Sequence, residues 1–236
     1  MNSAPIALVT GAAHRLGRVF ALTLARMGYD ILLHYHSARE EALQTKAELE
    51  SAGRNVILAR ADLTDPGQIP ALLAKTESLD VLVNCAAFMP SGNVNALSLE
   101  NWDASLDLNL RAPFLLAQGC AGKMREGGLI VNITDVGAQK TWSRYPSYTV
   151  SKAALESLTK ILARALAPKI RVNAIAPGFV LQSDIVPPEE WERLIHRVPL
   201  KRPARPDELS SALEFLIKNG YITGQTIVVD GGYSLI

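Results

Sequence analysis

The sequence has little cysteine. Its 236 residues include only Cys85 and Cys120, too few for a disulfide framework. Both lie in apolar surroundings, which suit free thiols. We therefore expect a reducing compartment, with the cytoplasm as the default location.

The sequence also has no excess of either charge. Lys and Arg number 24 against 23 Asp and Glu, for a formal net charge of +1. Such a chain has no broad basic field to attract nucleic acid, so any anion must be held by a local site. A hydrophobic content of 48% and a mean hydropathy of +0.12 exclude an intrinsically disordered chain.

Long hydrophobic runs are absent as well. The longest uncharged stretch, residues 81–99, is interrupted by Asn84, Pro90 and Gly92, which indicates a buried strand and a loop instead of a membrane span. The N-terminus has no basic leader, and its apolar run at residues 6–9 is too short for an export signal. We expect no membrane or nucleic-acid partner, and no metal site.

Seven short apolar runs alternate with amphipathic stretches. They are residues 6–9, 31–35, 56–59, 81–83, 129–133, 172–175 and 226–229. They are continuously apolar, as strands covered on both faces require. Alternating strands and helices predict right-handed βαβ units. We therefore predict a single α/β domain over residues 1–236, with one doubly wound parallel sheet of about seven strands and helices on both faces.

One long irregular stretch is predicted over residues 177–206, which contain six of the 13 prolines. Long loops at the carboxyl end of a strand are usually functional, so we interpret this one as a substrate lid. Trp191, within it, either closes over the pocket or packs against it.

A glycine-containing turn follows the first predicted strand. Gly11 and Gly17, with Arg15 and Leu16 between them, open the first predicted helix in the run TGAAHRLGR. Glycines let a pyrophosphate approach the backbone, and a helix N-terminus offers unpaired N–H groups to it. An ordinary βα turn is the alternative interpretation of this run.

The end of the second strand predicts which dinucleotide binds. NAD-dependent enzymes usually place a carboxylate there for the ribose 2′-hydroxyl, and LHYHSARE has none in the right place. Hydrogen-bond donors that match a 2′-phosphate are present instead: Arg15, His36, Ser37 and Arg39. We predict NADP(H), the alternative being a solvated surface. Asp62, after the third strand, either accepts from the adenine amino group or caps the next helix.

Tyr148 and Lys152 are spaced i, i+4 in the helical stretch SYTVSKAALESLTKILARAL, so they share one helix face. A nearby ammonium stabilises tyrosinate and lowers the pKa of a phenol. We expect Tyr148 to exchange protons near neutral pH.

These motifs, with ADLT, VNCAAF, LNLRAPFLL, RVNAIAPGFV and ITGQTIVVDGG, resemble the short-chain dehydrogenase/reductase family over the whole chain. The resemblance is greatest to the pteridine and dihydromonapterin reductases, through Arg15, LHYHS, PPEEWERLIHRVPL and DGGYSL. It implies a Rossmann-type fold and a homotetramer. It also implies that Asn109 holds a helix kink and a water, and that Lys152 binds the nicotinamide ribose. Further cofactor contacts are implied for Asn84, Ala86, Pro177 and Gly178.

Asp135 is the most telling residue. In most of the family a serine stands 13 residues before the tyrosine, and this chain has Asp135 there. A carboxylate opposes a developing alkoxide, but it can accept from a substrate N–H and stabilise a protonated C=N bond. Asp135 thus indicates that the substrate is an imine-like heterocycle, in which a C=N bond is reduced. Two alternatives remain: Asp135 caps the loop, or Thr134 supplies the missing hydroxyl.

Two departures from the family pattern bear on the substrate. Asn84, Cys85, Ala86 and Ala87 stand where NNAG or NNAS is usual, so two polar side chains that normally help to position the cofactor, the second Asn and the Ser, are absent. Phe88 stands one position earlier than the aromatic residue of pteridine reductases, and it can stack on a flat pterin or belong to the core.

We expect an NADPH-dependent reductase of a pterin of the dihydrobiopterin, dihydromonapterin or dihydrofolate type, with Tyr148 as the proton donor. Asp135 would orient the ring nitrogen. One alternative is a carbonyl reductase acting on 3-oxoacyl thioesters or a xenobiotic ketone. The other is a non-catalytic NADPH-binding sensor.

Overall fold

A computed structural model describes residues 4–182 and 186–236. Its seven strands are β1 (Ile6–Val9), β2 (Asp30–Tyr35), β3 (Val56–Arg60), β4 (Leu79–Asn84), β5 (Met124–Ile133), β6 (Ile170–Pro177) and β7 (Thr226–Val229). All pairings are parallel, in the order β3-β2-β1-β4-β5-β6-β7. The predicted doubly wound sheet is confirmed. The order reverses between β1 and β4, and that crevice is where such sheets bind ligands.

The helices cover both faces of the sheet. They are α1 (Arg15–Arg26), α2 (Arg39–Ser51), α3 (Ile69–Leu73), α4 (Leu99–Leu106), α5 (Ala112–Ala121), α6 (Gly137–Lys140), α7 (Pro146–Leu166), α8 (Pro188–Arg197) and α9 (Pro206–Lys218). A π-helical turn, Asp107–Arg111, joins α4 to α5. Short 3₁₀ turns span Pro66–Gln68 and Tyr233–Leu235.

Alternate residues of each strand enter different apolar clusters. Along β2, Ile31 and Leu33 pack with Phe20 and Leu24 of α1 on one face. Leu32 packs on the other face with a cluster that includes Leu116 of α5. Because both faces are covered, the strands are apolar at nearly every position.

The predicted lid is more regular than expected. Residues 188–197 form α8, and α9 begins at Pro206, so two of the prolines stand at the first positions of helices. Proline has a fixed φ and no N–H, both of which suit the start of a helix. Residues 183–185 of the predicted lid lie outside the described residues. Within the described ranges, no helix is both long and apolar enough to cross a membrane.

The packing of α1 generates a stability prediction. Leu24 on α1 is fully buried, whereas Leu43 on α2 is 40% exposed. Leu24→Ala should lower the free energy of unfolding by about 2–5 kcal/mol, because it removes buried contacts and leaves a cavity. Leu43→Ala should cost less than about 1 kcal/mol. Urea unfolding measures both, and equal losses would contradict the packing described for α1.

Candidate active site

The site lies at the carboxyl ends of the parallel strands, around the reversal between β1 and β4. The turn after β1 brings Gly11, the end of β4 brings Asn84, and the end of β5 brings Asp135. Helix α7 runs beside them and brings Tyr148 and Lys152. Residues far apart in the sequence therefore meet because parallel strands end at one edge.

The glycine turn packs too closely for larger residues. Gly11 has a φ of +63°, and a Cβ there would lie 3.0 Å from the Ala86 Cα. A Cβ on Gly17 would lie 2.1 Å from the Gly11 carbonyl oxygen, so the start of α1 presses directly on the turn. Leu16 beside it packs partly buried against the core.

The amino end of α1 can receive an anion. His14, at its N-cap, makes no side-chain cap bond among the described residues, and the described first turn contains no acidic residue. The N–H groups and the positive end of the helix dipole there suit a phosphate.

Thr10 fastens the end of β4 to this turn. Its Oγ1 accepts from the N–H groups of Cys85 and Ala86, at 2.9 and 3.0 Å. Asn84 donates from Nδ2 to Asn132 Oδ1 at 2.8 Å. The Asn84 Oδ1 atom is buried with no hydrogen-bond partner among the described residues, so it retains an acceptor for another group.

The predicted 2′-phosphate residues lie after β2. His36, Ser37 and Arg39 are all exposed, so their side chains are accessible to a ligand. Arg60, at the end of β3, donates from Nε to the His36 carbonyl at 3.2 Å, and this basic group beside the 2′-phosphate residues was not predicted. The signal was present in RADLT, where Arg60 directly precedes the segment that holds Asp62.

Asp62 closes a local turn. Its Oδ1 accepts from the Thr64 N–H and hydroxyl at 2.9 and 2.7 Å, and these bonds hold the pKa of the carboxyl below its ordinary value. Its Oδ2 lies 4.0 Å from His36 Nε2. The cap of the following 3₁₀ turn is Asp65, so the alternative that Asp62 caps the next helix is wrong. Its contact with adenine stays a prediction.

Arg15 reaches across the crevice. It has a φ of +49°, and its NH2 and NH1 groups donate to the carbonyls of Leu181 and Gln182 at 2.8 and 3.1 Å. The side chain thus ties the glycine turn to the segment after β6. A contact between Arg15 and a 2′-phosphate stays a prediction. To make it, the guanidinium would have to break its hydrogen bonds to the Leu181 and Gln182 carbonyls.

Asp135 and Tyr148 form the centre of the site. The Tyr148 hydroxyl donates to Asp135 Oδ2 at 2.8 Å, and Asp135 Oδ1 accepts from the Gly137 N–H at 2.7 Å. One carboxyl oxygen therefore holds the loop, as one alternative proposed, while the other faces the phenol. Lys152 Nζ donates to the Ile133 carbonyl at 2.7 Å and lies 5.7 Å from the centroid of the Tyr148 ring.

Burial changes the proton affinities of this trio. It raises the pKa of Asp135 to about 6 and lowers the pKa of Lys152. Burial and then the charge of Asp135 raise the pKa of Tyr148 well above 10. The expectation that Lys152 lowers the pKa of Tyr148 toward neutrality is therefore wrong for this arrangement, because desolvation and the neighbouring carboxylate outweigh the ammonium. The phenol is held protonated, as a proton donor must be.

Asn109 lies in the π-helical turn, a distortion that often occurs at functional sites. Its Oδ1 accepts from the Phe88 N–H at 2.8 Å, and its Nδ2 lies 2.8 Å from the Phe88 carbonyl oxygen and 3.0 Å from Ser151 Oγ. The amide thus connects the segment after β4 to α7. The helix distortion expected at Asn109 is present, while its water stays a prediction.

Four aromatic side chains pack together on the segments that follow β5, β6 and β7. Trp191 of α8 packs edge to face on Phe179, with 5.6 Å between ring centroids. Phe179 in turn contacts Tyr233 and stacks on Trp142, at 4.8 and 6.5 Å. Trp191 thus packs on Phe179, and its position relative to a substrate stays a prediction. Phe179 and Tyr233 were not predicted, although both lie in motifs that carry the family resemblance, RVNAIAPGFV and DGGYSL.

Pro177, the last residue of β6, and Gly178, which follows it, were predicted to line the nicotinamide pocket through their backbone groups. In the structure these groups form hydrogen bonds within the protein. The Pro177 carbonyl accepts from the Val136 N–H at 3.2 Å, and the Gly178 N–H donates to the Val229 carbonyl at 3.0 Å. A Cβ on Gly178 would lie 2.8 Å from the Asp230 Cα, so glycine is needed for this approach. Contacts of these residues with nicotinamide stay predictions.

The chain is similar to known reductases over nearly its whole length. A family model described as enoyl-(acyl carrier protein) reductase matches residues 11–234. The 3-oxoacyl-[acyl-carrier-protein] reductase of Synechocystis sp. is 33% identical over 240 residues, which cover 98% of this chain and 97% of that protein. The chain belongs to the short-chain dehydrogenase/reductase family.

Two solved structures of similar proteins contain NADP. FolM alternative dihydrofolate reductase 1 from Brucella canis, complexed with NADP, has a TM-score of 0.93 at 34% identity, covering 98% of this chain and 94% of that one. A short chain dehydrogenase from Burkholderia cenocepacia J2315, in complex with NADP, has a TM-score of 0.91 at 30% identity, covering 97% of each chain.

Thr134 does not replace the serine that most of the short-chain family carries. It is buried, and its hydroxyl donates to the Ile175 carbonyl at 3.2 Å and lies 3.5 Å from Glu156 Oε1. The hydroxyl is committed to these groups and is not offered to a substrate. Asp135 therefore remains the polar group beside Tyr148.

The raised pKa of Asp135 predicts a dependence of stability on pH. Because the folded-state pKa of about 6 exceeds the ordinary 3.8, folding favours the protonated carboxyl. This contribution is complete below about pH 4 and is lost as the pH rises through about 6. Asp135→Asn should remove it, so the variant should gain thermal stability relative to the parent across this range.

Thermal unfolding midpoints measured between about pH 4 and pH 8 check this expectation. Asp103→Asn, at an exposed carboxylate on α4, is the control and should leave the pH dependence of the parent intact. An Asp135→Asn profile parallel to that of the parent would contradict the raised pKa.

Proposed function

We propose that this protein is an NADPH-dependent reductase of a pterin, of the dihydrobiopterin, dihydromonapterin or dihydrofolate type. The observation that carries the proposal is the 2.8 Å hydrogen bond from the Tyr148 hydroxyl to Asp135 Oδ2. It places a proton donor and an acceptor side by side. A ring C=N group beside an N–H presents the complementary acceptor and donor.

The chemistry of Asp135 supports a nitrogen heterocycle. When a ketone is reduced, negative charge develops on oxygen, and a carboxylate in a desolvated site opposes it. When a C=N bond is reduced, the nitrogen gains a proton, and a neighbouring carboxylate favours that cationic character. With a pKa of about 6, Asp135 can also hold the proton itself near neutral pH.

Tyr148 supplies the proton, and Lys152 and Asn109 support and position the pair. Tyr148 gives its hydroxyl proton to the ring nitrogen while the adjacent ring carbon is reduced. Lys152 lies beside the phenol and stabilises the negative charge that remains. Asn109 binds the Phe88 main chain and Ser151, and so holds the substrate side of the site against α7.

The cofactor is NADP(H), which supplies the hydride when bound. NADP is present in both structures compared above, each of which covers nearly the whole chain. The residues of this chain fit the group: the amino end of α1 has no acidic residue in its described first turn and would face the pyrophosphate, and the buried Asn84 Oδ1 retains an acceptor. Near the end of β2, exposed His36, Ser37 and Arg39 would hold the 2′-phosphate, with Arg60 beside them.

Phe88 would provide the stacking face for the pterin. Its side chain is 38% exposed, so it does not belong to the core. Asn109 holds its main chain from both N–H and C=O. A flat heteroaromatic ring gains most from such a preoriented aromatic face. Trp191 would close the outer end of the pocket through its contact with Phe179.

A carbonyl reductase acting on 3-oxoacyl thioesters is the second candidate. The 33% identity to a 3-oxoacyl-[acyl-carrier-protein] reductase over 98% of the chain favours it. Against it stand Asp135 in place of the serine and the committed hydroxyl of Thr134. The chain is an oxidoreductase of this family, and its complete Tyr148, Lys152 and Asn109 set argues against a non-catalytic sensor.

Two further proposals concern the oligomeric state and the cellular location of the protein. Helix α5, which follows Asn109, and helix α7, which carries Tyr148, present partly exposed apolar residues. Phe114 of α5 is 41% exposed, and Val150 and Ile161 of α7 are 46% and 64% exposed. Contact between copies would cover them, which supports the proposed homotetramer. Cys85 and Cys120 are free thiols, which supports the proposed cytoplasmic location.

Substrate turnover tests the proposed function. NADPH oxidation should proceed with dihydrobiopterin, dihydromonapterin or dihydrofolate and be slow with 3-oxoacyl thioesters. Tyr148→Phe should lower kcat about 10²–10⁴-fold, because it removes the proton donor. Its affinity for NADPH, measured by fluorescence titration, should change little.

Asp135→Ala separates the two candidates. Pterin turnover should fall by a similar factor, since the acceptor for the ring N–H is lost. Ketone turnover that exceeds pterin turnover in the parent and persists in Asp135→Ala would support the carbonyl reductase instead. Undiminished pterin turnover in Tyr148→Phe would remove Tyr148 from the mechanism.

Sedimentation velocity tests the assembly. The purified protein should sediment as four copies of the 25.5-kDa chain. Ile161→Glu should weaken the assembly, because it places charges in an apolar contact. A parent protein that remains monomeric at micromolar concentration would contradict the proposed homotetramer.

A further inference from the structure

His34, at the end of β2, is a buried polar residue that the roles above leave unused. Its side chain is 2% exposed. Its Nδ1 accepts from the Gly11 N–H at 3.2 Å, and its Nε2 lies 3.1 Å from the Ala61 carbonyl oxygen. The ring therefore bridges the segment after β1 and the segment after β3, the two neighbours of its own strand.

Only one form of the imidazole satisfies both contacts. An amide N–H requires an unprotonated Nδ1, and a carbonyl oxygen requires a proton on Nε2, which together define the neutral Nε2–H tautomer. Burial lowers the pKa of His34 to about 4, with His36 adding to this effect and Asp62 opposing it. The neutral ring is the stable form across the physiological range.

The two bonded segments belong to the two halves of the dinucleotide site. Gly11 starts the turn that faces the pyrophosphate, and Ala61 directly precedes Asp62 on the adenosine side. The main chain reinforces the connection, since the His34 carbonyl accepts from the Ala12 N–H at 2.9 Å and the Tyr35 carbonyl accepts from the Ala61 N–H at 3.1 Å. The imidazole is the side-chain part of this connection.

We propose that His34 is a positioning residue for NADP(H), which sets the distance between the glycine turn and the adenosine-binding segment. Because the Gly11 N–H donates to His34, it points into the protein and not toward the cofactor. The pyrophosphate would then bind to the N–H groups at the start of α1. The inference concerns the cofactor alone, and it holds whichever substrate is reduced.

His34→Leu tests the proposal by removing both bonds while keeping an apolar side chain of moderate size. The Gly11 N–H and the Ala61 carbonyl lose their partner, and the turn relaxes. The Kd for NADPH should rise about tenfold, about 1.4 kcal/mol, because the cofactor must reorder the relaxed turn when it binds. KM for NADPH should rise more than kcat falls.

Two conservative variants separate the bonds. His34→Asn offers an oxygen near the Nδ1 position and can accept from the Gly11 N–H, whereas His34→Gln offers a donor near the Nε2 position for Ala61. We expect His34→Asn to recover most of the NADPH affinity and His34→Gln to recover less, because the glycine turn contacts the cofactor more directly.

Leu32→Ala is the matched control. Leu32 lies two residues earlier on the same face of β2 and is fully buried in the apolar core. The Leu32→Ala variant should have an unfolding temperature at least as low as that of His34→Leu. Its Kd for NADPH should nevertheless stay within about twofold of the parent value. Parent-like NADPH affinity in His34→Leu would overturn the proposal. If that variant does not fold, equal losses in His34→Asn and His34→Gln would do the same.

Discussion

The desolvated hydrogen bond between Tyr148 and Asp135 is the interaction on which the proposed chemistry of this protein depends. It exists because β5 ends at the same edge of the sheet as β1 and β4, and because α7 lays its first turns across that edge. Removing water from the pair raises the pKa of the phenol further above its ordinary value and raises the pKa of the carboxyl to about 6. In water the phenol is also protonated at neutral pH, whereas an aspartate is ionised there, so the change in protonation concerns Asp135.

The surrounding structure keeps that pair in one geometry. The Gly137 N–H holds one oxygen of Asp135, and the Ile133 carbonyl holds Lys152 beside the phenol. Asn109 ties the segment after β4 to α7 through the π-helical turn. The Gly137 contact lies within the loop after β5, whereas Lys152 joins α7 to β5 and Asn109 joins α7 to the segment after β4, so the geometry of the site depends on both that loop and the sheet order.

Several features were predictable because their signals are local. Continuous apolar runs predicted all seven strands, although β5 begins five residues before the predicted run and β6 extends two residues beyond it at each end. The i, i+4 spacing placed Tyr148 and Lys152 on one face of α7. Other features depend on distant partners. The pKa of Tyr148 was predicted in the wrong direction, because the spacing showed the ammonium but not the burial or the carboxylate facing the phenol. The helix at residues 188–197 was hidden by prolines that, in fact, begin helices.

Local periodicity and strand composition were enough to assign the parallel α/β sheet, and motif spacing was enough to place Tyr148 and Lys152 on one helix face, because these signals lie in nearby positions of the chain. The roles of Asp135 and Asn109 were implied by the family resemblance and stay predictions. Which way a side chain faces across the sheet edge was decided only by folding. Thr134 turns toward Ile175 while Asp135 turns toward Tyr148, and Phe179, Trp191 and Tyr233 meet from three separate segments. Such contacts depend on packing between distant residues, which no short stretch of sequence encodes.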